Sequence, residues 1–293
     1  MMVEPVGQEG MTAWRDTPEP GATRPTPIGG IDMKKLISVI LLLALALSLS
    51  LAAQAEGDLL SQIQQRGTLV IATEGNWQPW TYHDENDVLT GFDVEIGTLI
   101  AQGLGVEPDF QETAWDAILA GVDAGRFDIA CNGVGYTETR AEKYSFSEPY
   151  VYTEVVLVAK GDDDAIQSVE DLAGRTTANT ASSTYAAIGE GYGATVTPVD
   201  SLTETIMLVE QGRVDATINA KGSIDDYLSE HPEANIRIVQ VLPEGEPVAY
   251  PVRKGEDALV AAINDILEAA RQDGTLSALS EKYFGADLTK QGE

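Results

Sequence analysis

The stretch "YVYTEVVLVAKG" (150–161) decides how the chain is read. It alternates apolar and polar residues and is rich in β-branched side chains, the pattern of an extended strand. At twelve residues it exceeds the usual strand length, so it reads as one long segment passing between two bodies. A second extended stretch, "EGEPVAYPVRKG" (244–255), has the same character and returns. Short apolar runs alternate with amphipathic ones on both sides of the first crossing. Before it, "TLVIAT" (68–73), "EPDFQET" (107–113) and "FDIACNGV" (127–134) read as strands. "GFDVEIGTLIAQGLG" (91–105) and "WDAILAGVDAG" (115–125) read as helices between them. After it, "RTTANTA" (175–181), "TVTPV" (195–199), "VDATINA" (214–220) and "NIRIVQVL" (235–242) repeat the strand pattern. "SVEDLAG" (168–174) reads as a short helix. "SLTETIMLVEQG" (201–212) reads as a helix opened by a capping box of Ser201 and Glu204. Such alternation predicts βαβ units and mostly parallel sheets.

The fold class predicted is therefore α/β: two α/β lobes joined by two extended hinge strands, with a cleft between them. The predicted division is lobe 1 over 56–153 and 248–293, and lobe 2 over 154–247. The terminal helical run "DALVAAINDILEAARQDG" (257–274) and "TLSALSEKYFG" (275–285) is assigned to lobe 1, because it follows the return crossing.

The first 55 residues are read as lying outside the fold. "MKK" at 33–35 opens a basic segment, "LISVILLLALALSLSLAA" (36–53) is apolar, and Ala53-Gln54-Ala55 is a small-x-small site. This is the pattern of a signal peptide, cut after Ala55. The alternative is a retained anchor, since 18 apolar residues approach the spanning length. No Cys stands at the cut, so a lipid anchor is not expected, and a periplasmic location is. Residues 1–32 read as untranslated, with Met33 the true start, or as a disordered extension. Removing 1–55 leaves 14 bases against 42 acids, a charge of −28, so the acidity belongs to the folded part. That charge excludes a nucleic-acid binder, which needs clustered Lys and Arg. One Cys and two widely separated His, His83 and His231, argue against a disulfide framework, a metal centre or a Ser-His-Asp triad. Cys131 reads as a small core residue.

Three stretches carry a resemblance: "RGTLVIATEGNWQPWTYHDENDVLTGFDVEI" (66–96), "TETRAEKYSFSEPY" (137–150) and "DGTLSALSEKYFGADLTK" (273–290). They look like the family 3 extracellular solute-binding proteins of ABC amino-acid importers, most closely the cystine-binding branch. The resemblance runs collinearly over 60–290. It implies a two-lobed periplasmic binding protein that closes on a small amino acid, polar or sulfur-containing and cystine-like. It implies delivery to a membrane permease, with no cofactor, metal or catalytic residue and a monomeric state. The alternative on the same fold is an exported cyclohexadienyl (arogenate or prephenate) dehydratase.

The resemblance also implies site residues. Arg140, in the first turn of a helix capped by Thr137, would grip the ligand's carboxylate through its guanidinium fork. Ser182 and Ser183, before a helix N-terminus, would add donors to the same group. Gly133 and Gly135 would offer backbone groups on the opposite wall. Trp77 is the expected aromatic wall on the ligand side chain, with Trp80 and Trp115 as further candidates and Glu74 nearby. Each of these aromatics could instead be core; the ligand-facing reading is favoured for Trp77, while Trp80 and Trp115 read equally either way. The sequence departs from the pattern at Ala220, where relatives place an Asp for the ammonium. Either Glu74, Asp225 or another acid serves instead, or the ligand's charge differs. Lys221 reads either as a partner for an extra acidic group or as a solvated helix start.

Overall fold

The computed structural model describes residues 58–243 and 245–290. The predicted signal peptide at 33–55, its cut and the 1–32 extension lie outside the described residues. The first strand, β1 (Thr68–Thr73), follows helix α1 (Leu59–Arg66), which Asp58 caps by accepting from the Ser61 N–H. Gly67 ends α1 in the left-handed region at φ 75°, where a side chain would be strained. β1 is an interior strand of its sheet, and this is why "TLVIAT" is apolar on both faces.

Three small strands follow: β2 (Asn76–Trp77), β3 (Thr81–His83) and β4 (Leu89–Thr90). Then come α2 (Phe92–Gly103), β5 (Glu107–Glu112), α3 (Trp115–Asp123), β6 (Ile129–Ala130), α4 (Glu138–Lys143) and β7 (Tyr144–Phe146). β5, β1 and β6 are parallel neighbours. The long crossing is not one strand. It divides at Glu154 into β8 (Val151–Thr153) and β9 (Val155–Lys160). The Glu154 carbonyl accepts from the Lys221 N–H at 2.8 Å, where the chain leaves one pairing and enters another.

The second sheet contains β9, β10 (Thr176–Asn179), β11 (Thr195–Pro198), β12 (Ala216–Ala220) and β13 (Ile236–Val241), in the order β11-β10-β12-β9-β13. Its helices are α5 (Thr184–Gly191), α6 (Leu202–Glu210) and α7 (Lys221–Glu230). The predicted short helix at 168–174 is a 3-10 turn, Val169–Leu172, and it carries the full capping box, Ser168 with Asp171. At α6 only half of the predicted box forms. Ser201 accepts from the Glu204 N–H, while the Glu204 carboxylate accepts from the Asp200 N–H at 3.4 Å.

The return crossing supplies β14 (Glu246–Val248), which pairs antiparallel with β8, and β15 (Pro251–Arg253), which rejoins the first sheet between β6 and β7. The two crossings thus pair with each other as a two-stranded ribbon. Helices α8 (Asp257–Gln272) and α9 (Thr275–Phe284) then pack on the first sheet's side. Leu259, Ile263, Leu267 and Leu276 share the core with Phe92, Ile96 and Ile100, and Phe284 meets Phe92 at a 5.0 Å ring separation.

Both crossings are tied down by one buried carboxylate. Asp93, in the first turn of α2, accepts from the Tyr150 hydroxyl at 2.5 Å and the Tyr250 hydroxyl at 3.0 Å. It also accepts from the Gly133 N–H. Tyr150 and Tyr250 stack at 4.2 Å, one just before β8 and the other just after β14. Burial pushes Asp93 up to about 6, and these three donors oppose that rise. Cys131 is buried, with its thiol raised by burial, as a small core residue.

Candidate functional site

The carboxyl ends of β1 and β6 face those of β10 and β12 across a cleft, the place where α/β sheets hold ligands. Its space is about 530 Å³ counted out to open solvent. From the first sheet's side come Glu74, Asn76, Trp77, Trp115, Gly133 and Gly135. From the second come Asn179, Thr180, Ser183, Thr184, Tyr185 and Asn219, with Ser201, Leu202 and Thr205 at the start of α6.

The two tryptophans of "NWQPW" take different places. Trp77 is 9% exposed and lines the cleft, stacked on Trp80 at 5.4 Å and edge-on to Tyr185 at 6.5 Å. Trp80 is fully buried and does not line the cleft. It packs on Phe92 and Phe284 at 5.8 and 4.9 Å, so its expected contact with a ligand is replaced by a core role. The turn between them brings the Trp80 N–H onto the Trp77 carbonyl at 3.0 Å, and this puts one ring behind the other. Gly133 sits against this stack at φ 56°. A Cβ there would stand 2.7 Å from the Trp77 ring, so any side chain would displace the wall.

Glu74 follows β1. It accepts from the Asn132 amide at 2.7 Å and from the Trp115 N–H at the start of α3. Burial pushes it up to about 7, those hydrogen bonds oppose the rise, and Asp116 and Asp200 add to it. Trp115 is 8% exposed, and its indole Nε1–H has no hydrogen-bond partner among the described residues. Across the cleft Asn179 donates to the Ile218 carbonyl at 2.8 Å, while its Oδ1 has no partner. Two residues that line the cleft thus each carry a buried polar atom without a partner among the described residues, and in most structures such atoms are satisfied.

Arg140 spans the gap; it is not among the lining residues but touches two of them, Gly135 and Trp115. Thr137 caps α4, which fixes the first turn and aims the guanidinium. Nη1 donates to the Gly135 carbonyl at 2.8 Å and Nη2 to the Ser182 carbonyl at 3.0 Å, while the guanidinium lies 5.5 Å over the Trp115 ring. Burial lowers the Arg140 pKa, and the facing Glu246 opposes that. Ser182 is likewise a bridging residue. Its N–H and hydroxyl both donate to Asp116 on α3, at 3.0 and 2.5 Å, so neither group faces the cleft. Ser183 lines the cleft, but its hydroxyl is occupied: it accepts from the Ala186 N–H as the α5 cap and donates to the Thr180 carbonyl. Lys221 is not in the cleft; its ammonium pairs with Asp225 one turn along α7. That pairing also removes Asp225 as a free carboxylate, and Ala220 is buried at the end of β12.

Glu246 is the residue that sequence reasoning missed. It sits on β14, facing Arg140, and accepts from the hydroxyls of Thr184 and Tyr185. Burial raises its pKa, with those partners opposing. Gly135 leaves room for it: a Cβ there would lie 1.9 Å from a Glu246 oxygen, so the Glu246 side chain would have to shift. Gly135→Ala is therefore expected to hold the cleft ajar. The check is small-angle scattering: the radius of gyration of the variant with ligand should stay at the unliganded value. Asn179 and Asn219 were also missed; Asn179 ends β10 and Asn219 stands one residue before the end of β12, and that position is the signal that marks them.

The family described as bacterial extracellular solute-binding proteins, family 3, matches residues 69–286. A probable amino-acid ABC transporter-binding protein of Haemophilus influenzae is 41% identical over 258 residues, 88% of this chain and 100% of that protein. The L-cystine-binding protein TcyA of Bacillus subtilis is 39% identical over 80% of this chain and 88% of its own length. Among solved structures, the L-cystine solute receptor of Neisseria gonorrhoeae, unliganded and open, is 40% identical with a TM-score of 0.55, covering 80% of this chain and 100% of that one. Here, in contrast, Arg140 to Ser182, Ser182 to Asp116, and Gln78 to Glu230 at 2.9 Å all bridge the cleft.

Proposed function

The chain belongs to the family 3 bacterial extracellular solute-binding proteins, and from that premise we propose that its cleft captures L-cystine, or a polar amino acid close to it, for an ABC permease. The observation that carries this reading is the pair of unpartnered polar atoms, Trp115 Nε1–H and Asn179 Oδ1, inside a cleft walled by Trp77 and Tyr185. A donor and an acceptor on opposite walls match a zwitterion's carboxylate and ammonium. Arg140 adds the charge for the carboxylate, and Glu74 adds the charge for the ammonium that Ala220 does not supply. Lobe 1 is taken as 56–153 and 248–293, lobe 2 as 154–247, with the β8–β14 ribbon as the hinge. A periplasmic site of action, after removal of the signal segment at 33–55, accompanies this reading.

The test is a thermal-shift screen of the exported protein against the twenty amino acids and L-cystine. At a ligand concentration near a thousand times Kd, stabilisation is about 4 kcal/mol. For a protein of this size that raises Tm by roughly 10 °C. No rise with any amino acid or cystine would overturn the reading. Among the described residues that line the cleft, Glu74, pushed up to about 7 by burial, has the poise of a proton donor, so the screen includes arogenate and prephenate. No turnover of either is expected.

Glu74 also sets a pH dependence. Its folded value of about 7 lies above its ordinary 4.5, so the folded, unliganded protein holds the extra proton between those values. Its contribution to stability is full below pH 4.5 and is lost as pH rises to 7, about 3 kcal/mol in all. Ammonium binding runs the other way, because it needs the charged form. Affinity is expected to fall about tenfold per pH unit below 7. Titration calorimetry from pH 5 to 8 checks it, and Glu74→Gln should flatten the profile.

A further inference from the structure

A second groove opens beside the cleft. It has about 690 Å³ of space counted out to solvent, and Asn76 and Leu202 line both spaces. On one side stand Tyr82 and Gln78; on the other α7 presents Ser223, Asp226 and Glu230. Asp226 and Glu230 are one helical turn apart, so two like charges share a face. Among the described residues neither has a Lys, Arg or His within ion-pair distance. One amide, that of Gln78, serves both, donating to Glu230 at 2.9 Å and to Asp226. Ser223 supplies an independent observation: it is 1% exposed, lines the groove, and its hydroxyl has no partner among the described residues.

We propose that this groove is a subsite for a second amino-acid head, so that the protein selects ligands with two zwitterionic ends. The second ammonium lies between Asp226 and Glu230, supplying the cation that their shared face lacks. The second carboxylate takes the Ser223 hydroxyl. The first head occupies the main cleft, and the connecting atoms pass between Asn76 and Leu202. A symmetric, disulfide-linked amino acid has this form. The proposal rests on the amino-acid reading of the main cleft and specifies its ligand. Burial and the charge of Glu230 raise the Asp226 pKa, as expected for a carboxylate awaiting a cation.

The experiment is titration calorimetry at pH 7.5 with L-cystine and with S-methyl-L-cysteine, which has one head. It uses the wild-type protein, the double variant Asp226→Asn/Glu230→Gln, and Ser223→Ala. The wild type is expected to bind cystine at least thirtyfold more tightly than S-methyl-L-cysteine. The double variant should weaken cystine tenfold or more, and Ser223→Ala about threefold, while S-methyl-L-cysteine changes less than twofold. Loss of both ligands in parallel, or of neither, would overturn the subsite. Wild-type binding of S-methyl-L-cysteine as tight as cystine would sink the subsite and leave the main cleft standing. Binding of neither ligand by the wild type would overturn both readings. Unchanged unliganded Tm in the variants shows that their folds are intact.

Discussion

Arg140→Ala is expected to weaken amino-acid binding at least a hundredfold, and so to abolish the ligand-induced rise in Tm. The reason is that this guanidinium stands at three junctions. It joins the Gly135 carbonyl to the Ser182 carbonyl across the cleft, lies over the Trp115 ring, and faces Glu246 on the return crossing. Two of its five N–H groups are spoken for by these carbonyls, so others remain for a carboxylate. A charge-assisted, bidentate contact contributes about 1.5–3 kcal/mol per bond when truncated. Removal also breaks one of the hydrogen bonds that hold the lobes together. Glu246 is then left buried without its facing cation, which costs further. Arg140→Lys keeps the charge but loses the fork, and is expected to fall between the two, weaker than wild type by tenfold or more. The unliganded Tm should move by only a few degrees, because α4 keeps its Thr137 cap. Wild-type affinity in Arg140→Ala would remove the carboxylate assignment.

Asp93→Ala is expected to have the largest effect on folding itself. It leaves the Tyr150 and Tyr250 hydroxyls and the Gly133 N–H without their acceptor in a fully buried setting. Each such orphan costs about 1–3 kcal/mol, and removal of the buried charge gives part of that back. A net loss of about 4 kcal/mol is expected, a fall in Tm of roughly 10 °C. The consequence reaches function, because the two tyrosines anchor the ends of β8 and β14. Looser anchors leave the hinge less defined, so ligand affinity should drop together with stability. Chemical denaturation with and without ligand measures both. Asp93→Asn should do somewhat better, since its carbonyl still accepts from the tyrosines while its amide meets the Gly133 N–H, donor against donor. A stability within 1 kcal/mol of wild type for Asp93→Ala would contradict the anchoring role.

The α/β alternation, both crossings and the helices after the second crossing were legible because they are local patterns. Periodicity of two or 3.6, a Thr137 cap and a Gly after a helix are each written within a few residues. The placement of Arg140 near the cleft was legible for the same reason: it follows a strand end and opens a helix. Trp77 and Trp80 show where that reasoning stops. They share one loop and one residue type, and only the backbone turn at Gln78–Pro79 decides that one ring faces the cleft while the other enters the core against Phe284. Ser182 and Lys221 fail in the same way, since each finds a nearer partner, Asp116 from another element and Asp225 one turn along. Glu246 meets Arg140, Thr184 and Tyr185 only because the return crossing lies beside segments far earlier in the chain. Local chemistry therefore determined which elements form and which strand ends could carry a ligand. Which side chains meet across the gap was decided by packing, because those partners are distant in the chain and become neighbours only when the sheets and their ribbon are assembled.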